Sequence, residues 1–243
     1  MSGSRRIAIV PAHNEESAVG GVVSEIRAFD PGLDVVVVDD GSTDHTVAAA
    51  AAAGAFVVRL PFNLGIGAAV QTGFKFALEH GYEVAVRLDG DGQHDPAELP
   101  KLLAPLDRGE ADVVVGSRFA NGAGDHRGTR ARRVGIVFFA RLVSALTRQR
   151  VTDTTSGFQA LNRRGISIFA ADYPHDYPEV EATLMVHKHR LRLAEVPVTM
   201  REREHGTSSI TAVRSIYYVF KVTLAVLIGM LRRYAVPAEE PDR

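Results

Sequence analysis

The chain has 243 residues, of which 46% are apolar, 23% are charged and none is cysteine. This composition excludes a disordered or collagen-like chain, a disulfide framework, a thiolate metal site and a cysteine nucleophile, and the length can bury the core of a single domain. The formal net charge is −1, yet residues 1–117 hold 17 acidic and 8 basic side chains while residues 118–221 hold 9 and 17, a pattern that indicates a cation site in the first half and an anionic ligand for the second, or only solvated surface charge.

Short apolar, β-branched runs alternate with helical stretches through the first half. The predicted strands are Ile7–Pro11, Val35–Val38, Phe56–Leu60, Val84–Leu88 and Val113–Val115. The predicted helices are Glu15–Phe29, Thr43–Ala53, Gly65–His80 and Pro96–Arg108. Such runs predict a mainly parallel sheet with helices on both faces, and ligands of such sheets bind beyond the carboxyl ends of the strands.

The second half is less regular. Its predicted elements, in chain order, are a Gly- and Arg-rich loop over 121–130, a helix over Arg132–Arg148, a segment Thr152–Leu161 that leads into a short helix, a helix over Glu179–His189, a strand over Leu191–Val198, a polar loop over 201–209 and a long apolar helix over Ile210–Arg233. We therefore expect one main domain over residues 1–209, a separate helix over 210–234 and a disordered tail over 235–243.

The segment RLDGDGQHDP at residues 87–96 directly follows the fourth predicted strand. Asp89 and Asp91 flank Gly90, and because glycine allows a tight turn, both carboxylates can face one hard cation. Gln93 follows two positions later. Divalent ions are commonly held by one or two carboxylates together with substrate phosphates, which predicts a Mg²⁺ or Mn²⁺ site here. The same residues could also form a plain Asp-Gly turn.

Two other strands also end in polar residues. VPAHNEE at residues 10–16 follows the first strand, and VVVVDDGSTDHT at residues 35–46 follows the second. Helix capping alone explains each segment. The carboxylates of Asp39 and Asp40, however, can accept hydrogen bonds from a nucleotide base or a ribose. Because three such segments follow three strands of one predicted sheet, a ligand site is favoured over separate caps.

Seven motifs run in order between residues 10 and 209: VPAHNEE, VVDDGSTD, NLGIGAAVQTGF, DGDGQHDP, VVGSRF, TDTTSGFQA and EVPVTMREREHGTSS. In these motifs the chain resembles the family 2 glycosyltransferases, and within them the dolichyl- and polyprenyl-phosphate sugar synthases. The resemblance implies an α/β fold of the GT-A type, a Rossmann-like nucleotide-diphospho-sugar transferase fold. It also implies an inverting, metal-dependent transfer of a sugar from a nucleotide sugar to a polyprenyl phosphate.

The resemblance further implies roles for individual residues. The residues expected to bind the nucleotide sugar are Pro11, His13, Asn14, Glu15, Val38, Asp39, Asp40, Asp89, Gly90, Asp91, Arg118 and Arg203. The expected metal ligands are Asp89, Asp91 and Gln93. The sequence departs from the family at three positions. His13 stands where the synthases commonly have an aromatic residue, and Ile66 and Ser209 stand where relatives often have lysine. The serine at position 209 removes one cation from the expected phosphate site.

The acceptor decides whether a general base is needed. A lipid phosphate is already an anion, whereas a sugar hydroxyl must lose its proton to a carboxylate. Asp153, Glu179 and Glu181 are the candidate bases, and the expected catalytic set is Asp89, Asp91, Asp153 and Glu181.

Arg132 and Arg133 belong to a dense basic cluster and are expected, with Ser209, to contact the acceptor phosphate. The alternative for this cluster is a solvated helix start.

The last predicted helix reads ITAVRSIYYVFKVTLAVLIGMLRR, with aromatic residues among cations. Such an amphipathic helix can lie in a membrane interface or contact a small membrane-protein partner, although a core helix or a homo-oligomer interface remains open.

With no targeting peptide and no apolar run of membrane-spanning length, we expect a peripheral protein at the cytoplasmic face of the membrane. Nucleic acid is not expected as a partner. The rival functions are transfer to a hydroxyl acceptor and non-catalytic nucleotide binding.

Overall fold

A computed structural model describes residues 4–120, 130–147, 149–174 and 178–201, and for residues 130–136 it describes the backbone alone. Several predictions therefore lie outside the described residues: the loop over 121–129, Arg203, Ser209, the helix over 210–234 and the tail. The side chains of Arg132 and Arg133 are outside the description as well. Among the described helices, none is both long enough and apolar enough to cross a bilayer.

Strands and helices alternate through most of the described chain. The strands are β1 Arg6–Ala12, β2 Asp34–Asp39, β3 Phe56–Arg59, β4 Val84–Arg87, β5 Val113–Ser117, β6 Gln159–Asn162 and β7 Leu193–Pro197. The α-helices are α1 Val19–Phe29, α2 Thr46–Ala52, α3 Ile66–Glu79, α4 Leu99–Asp107, α5 Arg130–Thr147, α6 Arg163–Ala171 and α7 Pro178–Lys188. A short 3₁₀ turn, Pro96–Glu98, precedes α4.

The strands form one seven-stranded sheet in the order β3-β2-β1-β4-β6-β5-β7. All pairs are parallel except the two that involve β6, which is antiparallel to β4 and β5. The predicted α/β fold with a mainly parallel sheet is therefore confirmed. Because β6 runs in the opposite direction, its first residue, Gln159, pairs with Arg87 and Val115 near the carboxyl ends of the neighbouring strands.

The strand β6 is missing from the sequence prediction, which took Thr152–Leu161 directly into a helix. The strand has the sequence QALN, with two apolar residues and no β-branched one, so neither composition nor alternation reveals it. Its place in the sheet comes from pairing on both sides instead. The predicted short helix is present as α6, and Asn162 caps it by accepting a hydrogen bond from the amide of Gly165 at 3.0 Å.

Both faces of the sheet are buried, which explains the unbroken apolar runs. Along β1, Ala8 and Val10 pack into the core under α1 and α4, whereas Ile7 and Ile9 pack on the opposite face under α3 and α6. Successive side chains of a strand point to opposite faces, so a strand covered on both sides needs apolar residues at every position. A smaller apolar cluster joins α5 to α7.

An ion pair between the buried carboxylate of Asp112 and the exposed side chain of Arg192, at the edge of the sheet opposite the cleft, predicts a pH dependence of stability. Asp112, whose side chain is 3% exposed, accepts hydrogen bonds from Arg192 at 2.8 Å and from Asn162 at 2.9 Å. The hydrogen bond from Arg192 is the largest cause that lowers the pKa of Asp112, to about 2. A lowered pKa in the folded state stabilises the protein above the unfolded pKa of about 3.9 and ceases to do so as the pH falls toward 2.

We therefore expect wild type to exceed Asp112→Asn in stability at pH 6 and the difference to shrink steadily between pH 4 and pH 2. Urea unfolding of both proteins at several pH values measures it. A stability difference that stays constant over that range would contradict the assignment.

Candidate functional site

A cleft of about 420 Å³ opens at the carboxyl ends of the central parallel strands. Its walls come from β1 and β4, from the loops after β1, β2, β3 and β4, and from the first turns of α3 and α7. The lining residues are Pro11, Ala12, His13, Glu15, Asp40, Asn63, Gly65, Ile66, Ala69, Arg87, Asp89, Gly90, Asp91 and Glu179. The three polar segments singled out in the sequence therefore meet in one cleft.

The residues expected to bind the nucleotide fall into two groups. Pro11, His13, Glu15 and Asp40 line the cleft, as do the three residues of the Asp-Gly-Asp turn. Asn14, by contrast, joins two loops. The backbone amide of Asn14 donates to the hydroxyl of Ser42 at 2.9 Å, and its side-chain oxygen Oδ1 accepts from the backbone amide of Thr43 at 2.9 Å. Val38 is fully buried in the sheet.

The adjacent carboxylates at the end of β2 have different surroundings. Asp39 is fully buried, accepts hydrogen bonds from the amide of Ser42 at 3.3 Å and lies 3.5 Å from Arg59. Asp40 lines the cleft and accepts from the amides of Leu64 at 2.7 Å and Gly65 at 2.9 Å. Asp40 thus fixes the loop between β3 and α3 at the cleft. The sequence motif of that loop was noted, but its place beside the site was not predicted.

The Asp-Gly-Asp turn lies at the end of β4 with all three residues on the cleft. Asp91 accepts a hydrogen bond from the amide of Gln93 at 3.0 Å, which closes the turn. A Cβ at Gly90 would lie 3.0 Å from the carbonyl oxygen of Pro11, so the absence of a side chain lets the turn pack against β1. Gln93 is half-buried and does not line the cleft.

The donor chemistry of this turn fits a divalent cation. Within the described residues, no three His, Asp or Glu side chains form a complete ligand set. Mg²⁺ and similar ions, however, are commonly bound by one or two carboxylates while substrate phosphates and water supply the remaining oxygens. Asp89 and Asp91 are two such carboxylates on the wall of an open cleft. They suit a cation that binds together with a phosphorylated ligand.

A buried arginine lies behind the turn. The side chain of Arg87 is 2% exposed, and its Nη2 donates to Asp89 at 3.3 Å and to Glu179 at 2.9 Å. Its Nη1 lies 3.4 Å from the hydroxyl of Tyr173. Burial by itself disfavours the charged guanidinium, but the surrounding acidic groups outweigh it and raise the pKa of Arg87 above its ordinary value. Arg87 was missed as a site residue, although a lone arginine in an apolar strand was a visible signal.

His94, which is buried, contacts the backbone of the Asp-Gly-Asp turn from the interior of the protein. Its Nδ1 accepts a hydrogen bond from the amide of Asp89 at 3.0 Å, and its ring stacks on Phe158 with centroids 4.8 Å apart. Burial lowers the pKa of His94. The neutral ring that results is the form in which Nδ1 can accept this hydrogen bond. His94 therefore orients the backbone that carries Asp89.

Arg118 and Asp153 are brought together, but not on the cleft. The guanidinium of Arg118 donates to the two oxygens of Asp153 at 2.8 and 2.9 Å and to the hydroxyl of Thr155 at 2.6 Å. The side chain of Asp153 is 0% exposed and that of Arg118 is 14% exposed. Glu181, on α7, is half-buried and likewise does not line the cleft. Of the candidate bases, Glu179 alone has a place among the cleft-lining residues of the described chain.

Comparisons with known proteins agree with this fold and cleft. Residues 7–169 match the family model described as glycosyl transferase family 2. The chain is 32% identical to a polyprenol monophosphomannose synthase of Mycolicibacterium smegmatis over 239 residues, which cover 94% of this chain and 89% of that protein. It is also 32% identical to an undecaprenyl-phosphate mannosyltransferase of Micrococcus luteus, over 85% of this chain and 88% of that one.

A solved structure shares the fold. Glucosyl-3-phosphoglycerate synthase from Mycobacterium tuberculosis, crystallised with Mn²⁺, uridine-diphosphate-glucose and phosphoglyceric acid, aligns with a TM-score of 0.73 at 23% identity. The alignment covers 96% of this chain and 82% of that one. The fold of this chain is therefore shared with a solved structure.

Proposed function

Because the chain belongs to glycosyl transferase family 2, we propose that it transfers a hexose from a nucleotide sugar to a polyprenyl phosphate, with a divalent cation and with inversion at the anomeric carbon. The proposed acceptor rests on the similarity, over most of the chain, to two transferases named for polyprenyl-type phosphates. The proposed nucleotide-sugar donor rests on the cleft, in which the Asp-Gly-Asp turn lies beside the loops after β1 and β2.

The cleft suits a nucleotide sugar bound in one direction. The nucleoside lies against His13, Glu15 and Asp40, and the diphosphate lies beside Asp89 and Asp91. A bound Mg²⁺ or Mn²⁺ would neutralise the charge that develops on the departing nucleoside diphosphate. The carboxylates of Asp89 and Asp91 would hold that cation, and the loop fixed by Asp40 would close one side of the nucleoside pocket.

A phosphate acceptor agrees with the positions of the carboxylates. An ionised phosphate oxygen can attack the anomeric carbon without losing a proton, so no general base is required. Asp153 is buried and bound to Arg118 on both oxygens, which favours a supporting role over proton transfer. The expected acceptor-phosphate ligands Arg132, Arg133 and Ser209, and the donor-phosphate ligand Arg203, belong to this proposal.

The proposal also includes a place for the chain at a membrane. The expected helix over 210–234, with cations among apolar and aromatic residues, would bind the interface of the cytoplasmic face or a small membrane-protein partner. Either arrangement would bring the cleft near a lipid acceptor. A homo-oligomer through this helix is the remaining alternative.

A pair of acceptors that differ in one phosphate tests the reaction. A short-chain polyprenyl phosphate and the corresponding polyprenol are compared at equal concentration with labelled nucleotide sugar and Mn²⁺. We expect product from the phosphate and none from the alcohol, because an ionised phosphate oxygen attacks without losing a proton whereas a hydroxyl would need a base to accept its proton. Product from the alcohol or from a glycan hydroxyl, with none from the phosphate, would contradict the proposal and favour the hydroxyl-acceptor alternative with Glu179 as the base.

A further inference from the structure

The lining of the cleft includes Glu179 at the start of α7, in addition to the Asp-Gly-Asp turn and the loops expected to bind the nucleoside. The sheet order places the loops after β3, β2, β1 and β4 side by side along one edge, followed by the start of β6. If the nucleoside lies at the β1 and β2 loops and the diphosphate at the β4 turn, the sugar must lie beyond β4. Glu179 lines the cleft at this end, because it contacts Arg87 at the carboxyl end of β4.

One nitrogen of Arg87 ties two carboxylates together. Its Nη2 donates to Oδ1 of Asp89 and to Oε1 of Glu179, so the two acidic groups share a single buried cation. The side chain of Glu179 is 24% exposed, whereas that of Arg87 is 2% exposed. The guanidinium thus holds Glu179 from the buried side of the cleft wall, and part of the Glu179 side chain remains accessible from the cleft.

The surroundings give this arrangement little freedom to move. A Cβ at Gly157 would lie 2.9 Å from Nη2 of Arg87 and 3.1 Å from Oδ1 of Asp89, so the loop before β6 packs directly on the ion pair. Tyr173 closes another side through its hydroxyl. Nε of Arg87 is buried without a hydrogen-bond partner among the described residues, so the guanidinium is held through Nη1 and Nη2.

We propose that Glu179, held by the buried guanidinium of Arg87, is a specificity-determining residue that accepts a hydrogen bond from one hydroxyl of the donor sugar. The inference rests on the proposed function for the direction in which the nucleotide sugar lies. Sugar hydroxyls are donors, and an ionised carboxylate is the stronger kind of acceptor for them. A site built to bind a hydroxyl discriminates strongly against an analogue that lacks it, because its polar group is then left unpaired.

Arg87 acts in this proposal as a positioning residue. It does not contact the sugar, but its hydrogen bond holds Glu179 in one orientation, and its second hydrogen bond links that orientation to Asp89 in the turn. Sugar selection and cation binding are therefore mechanically connected through one side chain. This connection separates the role proposed for Glu179 from that of a general base, which would need no fixed relation to the turn.

The test measures whether the contribution of one sugar hydroxyl to kcat/KM requires the carboxylate of Glu179. GDP-mannose, UDP-glucose and UDP-N-acetylglucosamine are first compared, with Mn²⁺, for binding and for slow hydrolysis in the absence of any acceptor. Monodeoxy analogues of the preferred donor are then compared in wild type and in Glu179→Ala. In wild type, loss of one particular hydroxyl should weaken kcat/KM by about 10- to 100-fold, the range for a hydrogen bond to a charged group. In Glu179→Ala, loss of the same hydroxyl should cost less than about threefold.

Three further proteins keep the result interpretable. Glu179→Gln retains an acceptor for Arg87 and guards against a folding defect, and it should show an intermediate dependence on that hydroxyl. Arg87→Lys keeps the positive charge but loses the forked guanidinium, and it should discriminate less than wild type between the deoxy donors. Glu79→Ala removes an exposed carboxylate from the end of α3 and should match wild type throughout.

Two outcomes would overturn the inference. In one, removing the hydroxyl lowers kcat/KM by the same factor in folded Glu179→Ala and Glu179→Gln as it does in wild type. In the other, both variants lose turnover with every donor at unchanged affinity, as expected of a general base. Because binding and hydrolysis are measured without an acceptor, a failure to glycosylate polyprenyl phosphate would contradict the proposed function and leave this result standing.

Discussion

Asp91→Asn is expected to lower the rate of sugar transfer by about 10²- to 10³-fold, the loss typical of removing one electrostatic stabiliser of developing charge. The amide oxygen of asparagine can still accept the hydrogen bond from the amide of Gln93 that closes the turn in wild type. The backbone of the turn should therefore be kept while the negative charge is lost. Steady-state kinetics at saturating donor and Mn²⁺ measure the rate, and thermal melting checks the fold.

The matched control is Asp107→Asn. This carboxylate is 46% exposed, pairs with Arg6 and does not line the cleft, so the variant should turn over like wild type. Near-normal turnover of Asp91→Asn in the presence of a chelator would show that the turn holds no essential cation.

Asp153→Ala is expected to lower the free energy of unfolding by about 3–5 kcal/mol, the range for removing one partner of a buried ion pair. The side chain of Asp153 is fully buried, and Arg118 is nearly so. Alanine would leave the guanidinium without both of its carboxylate hydrogen bonds and would also remove the acceptor for the amide of Thr155. Denaturant unfolding followed by circular dichroism measures the loss.

An exposed ion pair gives the comparison. Glu110, which is 57% exposed, pairs with Arg108, and Glu110→Ala should change stability little, since surface pairs are screened by solvent. An Asp153→Ala protein of wild-type stability without activity would contradict the structural role and support Asp153 as a general base. Loss of stability with activity retained in the folded fraction is the expected result.

The sequence predicted the parallel part of the sheet because its residues follow a rule that acts locally. In β2 every valine is buried, since the strand is covered on both faces, and an unbroken run of β-branched residues is typical of that position. The polar residues at the ends of β1, β2 and β4 meet in one cleft for a similarly general reason. Parallel strands end at the same edge of a sheet, so sequence order is enough to place them together.

The parts that were missed depend on contacts between distant segments. The strand β6 exists through its pairing with β4 and β5 and carries little local signal. The helix predicted from Glu15 begins at Val19 instead, because the amide of Glu15 donates to the hydroxyl of Thr46 at 2.8 Å and holds the chain in turns. Neither contact is visible from a local pattern.

The buried partners of the cleft were hidden for the same reason. Arg87 is separated from Glu179 by 92 residues in the chain, and no spacing in the sequence connects them. The pairing of Arg118 with Asp153 likewise joins a residue expected to bind the nucleotide sugar to a residue expected to act as a general base. Sequence patterns thus located the wall of the cleft that faces a ligand, while the side chains that fix this wall became apparent from the packing of β6, α6 and α7 around it.

The central claim is that the cleft transfers a sugar from a nucleotide sugar to a lipid phosphate, and a time course of labelled sugar tests it most directly. The full chain is incubated with a nucleotide sugar labelled in its hexose, a short-chain polyprenyl phosphate and Mn²⁺, and the label is followed into the organic-solvent phase. We predict that label enters the lipid fraction with wild type and that a chelator or Asp91→Asn stops it. Folded wild-type protein that binds the nucleotide sugar but leaves all of the label in the aqueous phase, with every donor tried, would contradict the account.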